Sequence, residues 1–242
     1  MKQLLHKVSV FLSVYYAFMV EYRAELIIWV LANSFPIIMM GVWTQASQGG
    51  RFTLSPIDFA HYFISVFFIR QLTIIWVAWD FEKEVVEGRL SPRLLQPIDP
   101  VWYHVAGHVA ERFARLPFTL LLMALFFILY PQAFWVPSLF NFGMAIVCII
   151  LAFVLRFLIQ YSFAMFAFWT ERATSIEQFW FLFYTFLSGM IAPLTVFPEA
   201  MREFLMWTPF PYLIYFPASL LVGLPVNLGQ GLSVILAWCG IF

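Results

Sequence analysis

Charge is scarce in this sequence: only 11% of its 242 residues are Asp, Glu, Lys or Arg, and the 13 acidic and 13 basic residues cancel. A chain without a net field has no long-range pull toward nucleic acid or an acidic partner. Lysine is the scarcest cation. The three lysines, Lys2, Lys7 and Lys83, follow Met1, His6 and Glu82, whereas a phosphate-binding GxxxxGK[ST] loop needs lysine directly after glycine. The chain therefore has no Walker A loop of its own. Cysteine is also rare. Cys148 and Cys239 stand alone inside apolar runs, so neither a disulfide framework nor a CxxC metal or redox pair is available. The run after the basic start is interrupted by Ser9, Ser13, Glu21 and Arg23 and lacks a small-residue cleavage site, which argues against a removable secretory signal.

What fills the chain instead is apolar surface. Hydrophobic residues make up 63% and aromatic residues 21%, with a mean hydropathy of +0.88, against about 45–50% apolar in soluble domains. Several runs reach the roughly 20 residues that a helix needs to cross a hydrocarbon core of about 30 Å. The expected fold is all-α and polytopic: a single membrane domain over 1–242 with six transmembrane helices. Residues 1–23 carry a stripe of Leu4, Val8, Phe11, Tyr15, Phe18 and Tyr22, the spacing of a helix lying in the membrane interface.

Spans are expected at Ala24–Trp43, kinked at Pro36, at Ile57–Trp79, at Pro117–Trp135, at Leu139–Trp169 and at Phe179–Phe197. Over 198–227 the sequence stays apolar but is cut by Pro198, Pro209, Pro211, Pro217 and Pro225. One short helix over Pro198–Trp207 and another over Pro211–Gly223 make a re-entrant hairpin, which is allowed at membrane depth only where protein or water covers its backbone. The last run, from Leu228 to Phe242, covers only about 20 Å. A natural chain continuing beyond Phe242 by roughly half a span is the expectation.

Basic residues set the orientation. Nine of the 13 lie at the N-terminus, in the connection 80–116 or at Arg172, and only Arg51 and Arg202 lie on the other side. The N-terminus is therefore placed in the cytosol. Arg70 and Arg156 fall within spans, at a cost of about 2.5–3.5 kcal/mol each. With no Asp or Glu in mid-span, they face a cavity, a partner subunit or an anionic ligand, or else bond backbone carbonyls with help from Gln71 and Gln160.

The connection 80–116 holds the densest polar pattern. Glu82, Glu84 and Glu87 precede Gly88, and Arg89 and Arg93 follow, which reads either as a short docking helix or as a solvated loop. His104, His108 and Glu111 share one helical face. A membrane metalloenzyme built on His104 and His108 is one alternative, although an amphipathic helix accounts for them and no metal site is assigned. A secondary transporter or channel is another. It would be marked by mid-span acids and an internal repeat, and the sequence shows neither.

Three groups of segments, Glu87-Gly88-Arg89-Leu90-Ser91 with Leu95-Gln96-Pro97-Ile98-Asp99-Pro100, Phe168-Trp169-Thr170-Glu171, and Ser188 to Leu194 followed by Phe197-Pro198, Pro209-Phe210, Pro217 and Gly223, occur in the order in which the chain resembles the permeases of type-2 ABC exporters. The resemblance implies a permease subunit in a prokaryotic cytoplasmic membrane, not catalytic by itself. Its implied partners are a dimer of ABC ATPase subunits, which bind the ATP and Mg, a second identical or homologous permease, and membrane lipids, with no nucleic acid. It also implies coupling through Glu84, Glu87, Gly88, Arg89 and Leu90, while a substrate pathway near Arg70, Arg156 and Gln160 is read from the charges within the spans. An outer gate would involve Gly189, Pro193, Pro198, Pro209 and Pro211.

Overall fold

The computed structural model describes residues 2–50, 52–170 and 172–242; Met1, Arg51 and Glu171 lie outside it, as do the side chains of Lys2, Gln3, Leu4, Leu5, Lys7, Val8 and Phe11. The described residues form thirteen α-helices joined by short 3₁₀ turns, with no strand among them. They are α1 (Lys2–Glu21), α2 (Arg23–Ala32), α3 (Phe35–Ala46), α4 (Pro56–Thr73), α5 (Val77–Val86), α6 (Leu90–Leu94), α7 (Pro100–Leu129), α8 (Leu139–Ala164), α9 (Thr174–Leu187), α10 (Glu199–Leu205), α11 (Phe210–Leu213), α12 (Tyr215–Val222) and α13 (Leu228–Ile241). Four helical stretches, 23–49, 56–86, 100–129 and 139–168, are long and apolar enough to cross a membrane, whereas α9 and α13 have 14 residues each.

Breaks fall where backbone hydrogen bonds cannot continue. Ahead of Pro36, Asn33 and Ser34 separate α2 from α3, and the Asn33 side chain donates back to the Trp29 carbonyl at 2.7 Å. The second expected span is divided as well. Ile74 turns extended with ψ 137°, inside a Thr73-Ile74-Ile75 run whose β-branched side chains restrict helical χ1. Its polar continuation is a second helix, α5, so the connection 80–116 is helical over most of its length.

Conversely, α7 runs 30 residues straight through Pro117, about 45 Å. Proline removes one hydrogen bond there without ending the helix, so the expected start of the third span moves back to Pro100. The fifth expected span also shifts. α9 begins at Thr174 and stops at Leu187, because Gly189 adopts φ 91° and Pro193 follows. The expected Pro211–Gly223 helix is two pieces, α11 and α12, broken at Ile214 (φ −142°, ψ −59°). Pro217 has no N–H for the Leu213 carbonyl, which explains the break.

The core gathers α4, α8, α11, α12 and α13. Every residue of 211–221 is buried, so the proline-rich segment forms the centre of the molecule. Outside this core, α1 lies along α7. A Cβ at Gly107 would stand 3.5 Å from the Tyr15 ring, an ordinary van der Waals contact. Farther along the α1 stripe, Phe18 and Tyr22 are exposed and their rings are 5.1 Å apart.

Candidate functional site

The turn from α5 to α6 separates the five expected coupling residues into two kinds. Glu84 is buried; it accepts from Arg93 at 2.6 Å and lies 3.6 Å from His104 on α7. Leu90 is buried against Phe81, Ala164, Ala167 and Ala173. Both hold the turn onto the body of the protein. Gly88 takes φ 71° at the end of α5, beside the exposed ion pair of Glu87 and Arg89 at 2.7 Å.

In the sequence around that pair, apolar side chains are exposed. Val86, Leu94 and Ile98 are exposed, and Leu95 is 89% exposed. These four aliphatic side chains and the ion pair make an exposed knob at the α5–α6 turn, alongside the exposed Lys83, Ser91, Gln96 and Asp99. Replacing Glu84 with Ala leaves Arg93 without its carboxylate and lowers stability by about 1–3 kcal/mol, read as the thermal midpoint of the purified chain. Because Glu84 faces inward, the exposed knob keeps its chemistry.

The knob is tied to α9. The Glu82 carboxylate accepts from the Thr174 N–H at 2.6 Å and the Thr174 hydroxyl at 3.1 Å, placing negative charge at the start of α9. One turn on, Glu177 accepts from Trp79 at 3.3 Å and from Gln160 at 3.1 Å. Helices α5, α8 and α9 therefore meet on two carboxylates.

Arg156 is 2% exposed; it donates to the Tyr184 hydroxyl at 2.7 Å, with its guanidinium 4.3 Å from that ring's centre. Arg70 donates to the Met190 sulfur at 2.6 Å. Both arginines thus lie in a buried polar layer with Gln160 and Glu177, which bond each other at 3.1 Å. The expectation concerned acids in mid-span; Glu177 lies just ahead of the expected fifth span, buried in the first turn of α9 and bonded to Gln160, one turn from Arg156 on α8.

At the other end of α9, Ser188–Ala192 is a junction of three elements. Tyr62 on α4 donates to the Gly189 carbonyl at 2.7 Å, Trp43 on α3 to the Ile191 carbonyl at 2.7 Å, and the Tyr215 N–H of α12 to the Ser188 carbonyl at 2.9 Å. Pro193 precedes a 3₁₀ turn, Pro198 and Pro209 cap α10 and α11, and Pro211 occupies the first turn of α11. Of the expected gate residues, only Gly189 belongs to the junction. His104 and His108 go to different carboxylates, Glu84 at 3.6 Å and Glu111 at 3.5 Å. No group of three or more His, Cys, Asp or Glu able to hold a metal is found among the described residues.

Long apolar helices with buried arginines between them define an integral membrane protein. The family profile described as ABC-2 family transporter protein matches residues 50–240, and the chain belongs to that family. The match runs from the segment before α4 into α13, covering the knob, the polar layer and the Ser188–Ala192 junction. The chain is accordingly a membrane component of a transporter whose family in general works with an ABC ATPase. No curated protein matches it.

Proposed function

We propose that this chain is the permease subunit of an ATP-driven exporter, forming half of the translocation pathway and driven by a separate ATPase dimer that binds ATP and Mg. The observation that carries this reading is the apolar knob at the α5–α6 turn, held rigid by Glu84 and Leu90 while Leu94 and Leu95 face outward. A solvated loop has no reason to expose adjacent leucines on a braced helix.

In this reading the chain crosses a prokaryotic cytoplasmic membrane six times with its N-terminus in the cytosol. The short helices α9 and α13 make the fifth and sixth crossings, and α1 lies in the interface. Segment 198–227 enters from the outer side, covered by α4 and α8, and acts with the Ser188–Ala192 junction as the outer gate. A push on the knob reaches α9 through Glu82 and Thr174, and α9 carries it to Gly189 and Tyr215. A second permease subunit completes the pathway around the arginine layer.

Arg156→Met removes the charge while keeping most of the volume. In cells lacking the native gene it fails to restore the export phenotype, and the ATPase still co-purifies. Normal export by both Arg156→Met and Arg70→Met would remove the arginine layer from the pathway.

A further inference from the structure

An apolar crevice of about 220 Å³ opens between α2, α3, α4 and α7, lined by Leu31, Ile37, Ile64, Phe67, Met123 and Phe126 among others. On α7 the stripe that lines it continues toward the helix start through Thr119, Arg115 and Arg112, at the three- and four-residue spacings of a single helical face. Arg115 lies about 10–12 Å along the axis from Leu122 and Met123.

Both arginines are buried, and Glu111 is the carboxylate they share: Arg115 hydrogen-bonds it, while Arg112 reaches it only at 3.5 Å. Among the described residues, all three nitrogens of Arg112, and Nε and Nη1 of Arg115, have no hydrogen-bond acceptor. The Arg112 guanidinium lies 5.8 Å from the centre of the Phe153 ring instead. Two arginines on one carboxylate, which His108 also approaches at 3.5 Å, leave surplus positive charge and buried donors without acceptors, on the α7 face that continues into the crevice. Fork-shaped donors of this kind match phosphate oxygens.

We infer that the crevice and the two arginines form one site for an anionic phospholipid, an acyl chain lying along Met123 and Phe126 and the phosphate held by Arg112 and Arg115. Its assignment to the cytosolic leaflet rests on the orientation proposed above; the site itself does not. A zwitterionic lipid fits the crevice but brings its own cation to the two guanidiniums, so the site discriminates by headgroup charge.

The test uses the full chain in mild detergent, equilibrated with equal amounts of phosphatidylglycerol and phosphatidylcholine, with retained lipid quantified by mass spectrometry. Wild type is expected to retain phosphatidylglycerol with about tenfold preference, equivalent to roughly 1.4 kcal/mol. Arg112→Met with Arg115→Met brings the ratio near one. Met123→Trp fills the crevice and lowers retention of both lipids, with the arginines intact. Equal retention of the two lipids by wild type overturns the site, as does retention unchanged by Met123→Trp. This second variant decides the matter even where the double arginine variant fails to fold. None of these readouts involves ATPase binding or export, so failure here leaves the permease reading standing.

Discussion

Gly189→Ala abolishes the folded protein, seen as loss of the monodisperse peak in detergent gel filtration. Gly189 sits at φ 91°, and an added Cβ would lie 2.8 Å from the Tyr215 Cβ and 2.5 Å from the Tyr62 hydroxyl. Tyr215 cannot retreat, because its N–H is bonded to Ser188 and its neighbours on α12 are buried. Left-handed backbone costs an L-residue about 1–2 kcal/mol, and overpacking adds about 1–3 kcal/mol. Together these reach about 2–5 kcal/mol, a large share of ordinary folding stability. Gly88→Ala provides the contrast. It has nearly the same backbone, φ 71°, but nothing within 4 Å of the new Cβ, so only the strain of about 1–2 kcal/mol applies. The folded yield of Gly88→Ala therefore stays close to wild type.

Leu94→Asp with Leu95→Asp detaches the ATPase and leaves the permease folded. Both side chains are exposed, Leu94 at the end of a five-residue helix and Leu95 just after it, so burying a carboxylate within the chain is not at issue. In an interface, truncating a buried anchor costs at least about 2 kcal/mol, roughly 30-fold in affinity. Two such anchors, now charged, reduce ATPase recovery by at least about 100-fold. Glu84→Ala should show the opposite pattern, with a lower thermal midpoint and the ATPase retained. The pair of variants separates bracing from docking, which the acidic and basic pattern of the sequence runs together.

How much could be read from the sequence differs by element, for identifiable reasons. Composition and run length are direct statements about solvent, so the helical membrane class and the long fourth helix are visible in them; α8 begins at Leu139 as expected. Proline is less reliable. Pro36 and Pro193 coincide with breaks, whereas Pro117 sits inside a continuous helix, because the loss of one hydrogen bond is decided by the surrounding packing. The break at Ile74 had only a β-branched run to signal it.

At the candidate site, polarity identified the right segment but not the roles within it. Glu84 and Arg93 look like surface charges until α7 brings His104 alongside. Leu94 and Leu95 look like core until the turn leaves them outside. Glu177 was hidden because α9 starts five residues earlier than its apolar run, and only tertiary packing places that carboxylate beside Gln160 and Trp79. Glu82 gave no sign in the sequence of its bond to Thr174, 92 residues away.

The central claim, a permease driven by a separate motor through the α5–α6 knob, is tested most directly by purifying the tagged chain from its native membrane in several mild detergents. The proteins that accompany it are then identified. The expected result is an ATPase carrying a GxxxxGK[ST] loop in stoichiometric amount, lost from the Leu94→Asp, Leu95→Asp variant and retained by Glu84→Ala. Wild-type chain that is monodisperse yet free of any such ATPase in every detergent would contradict the account.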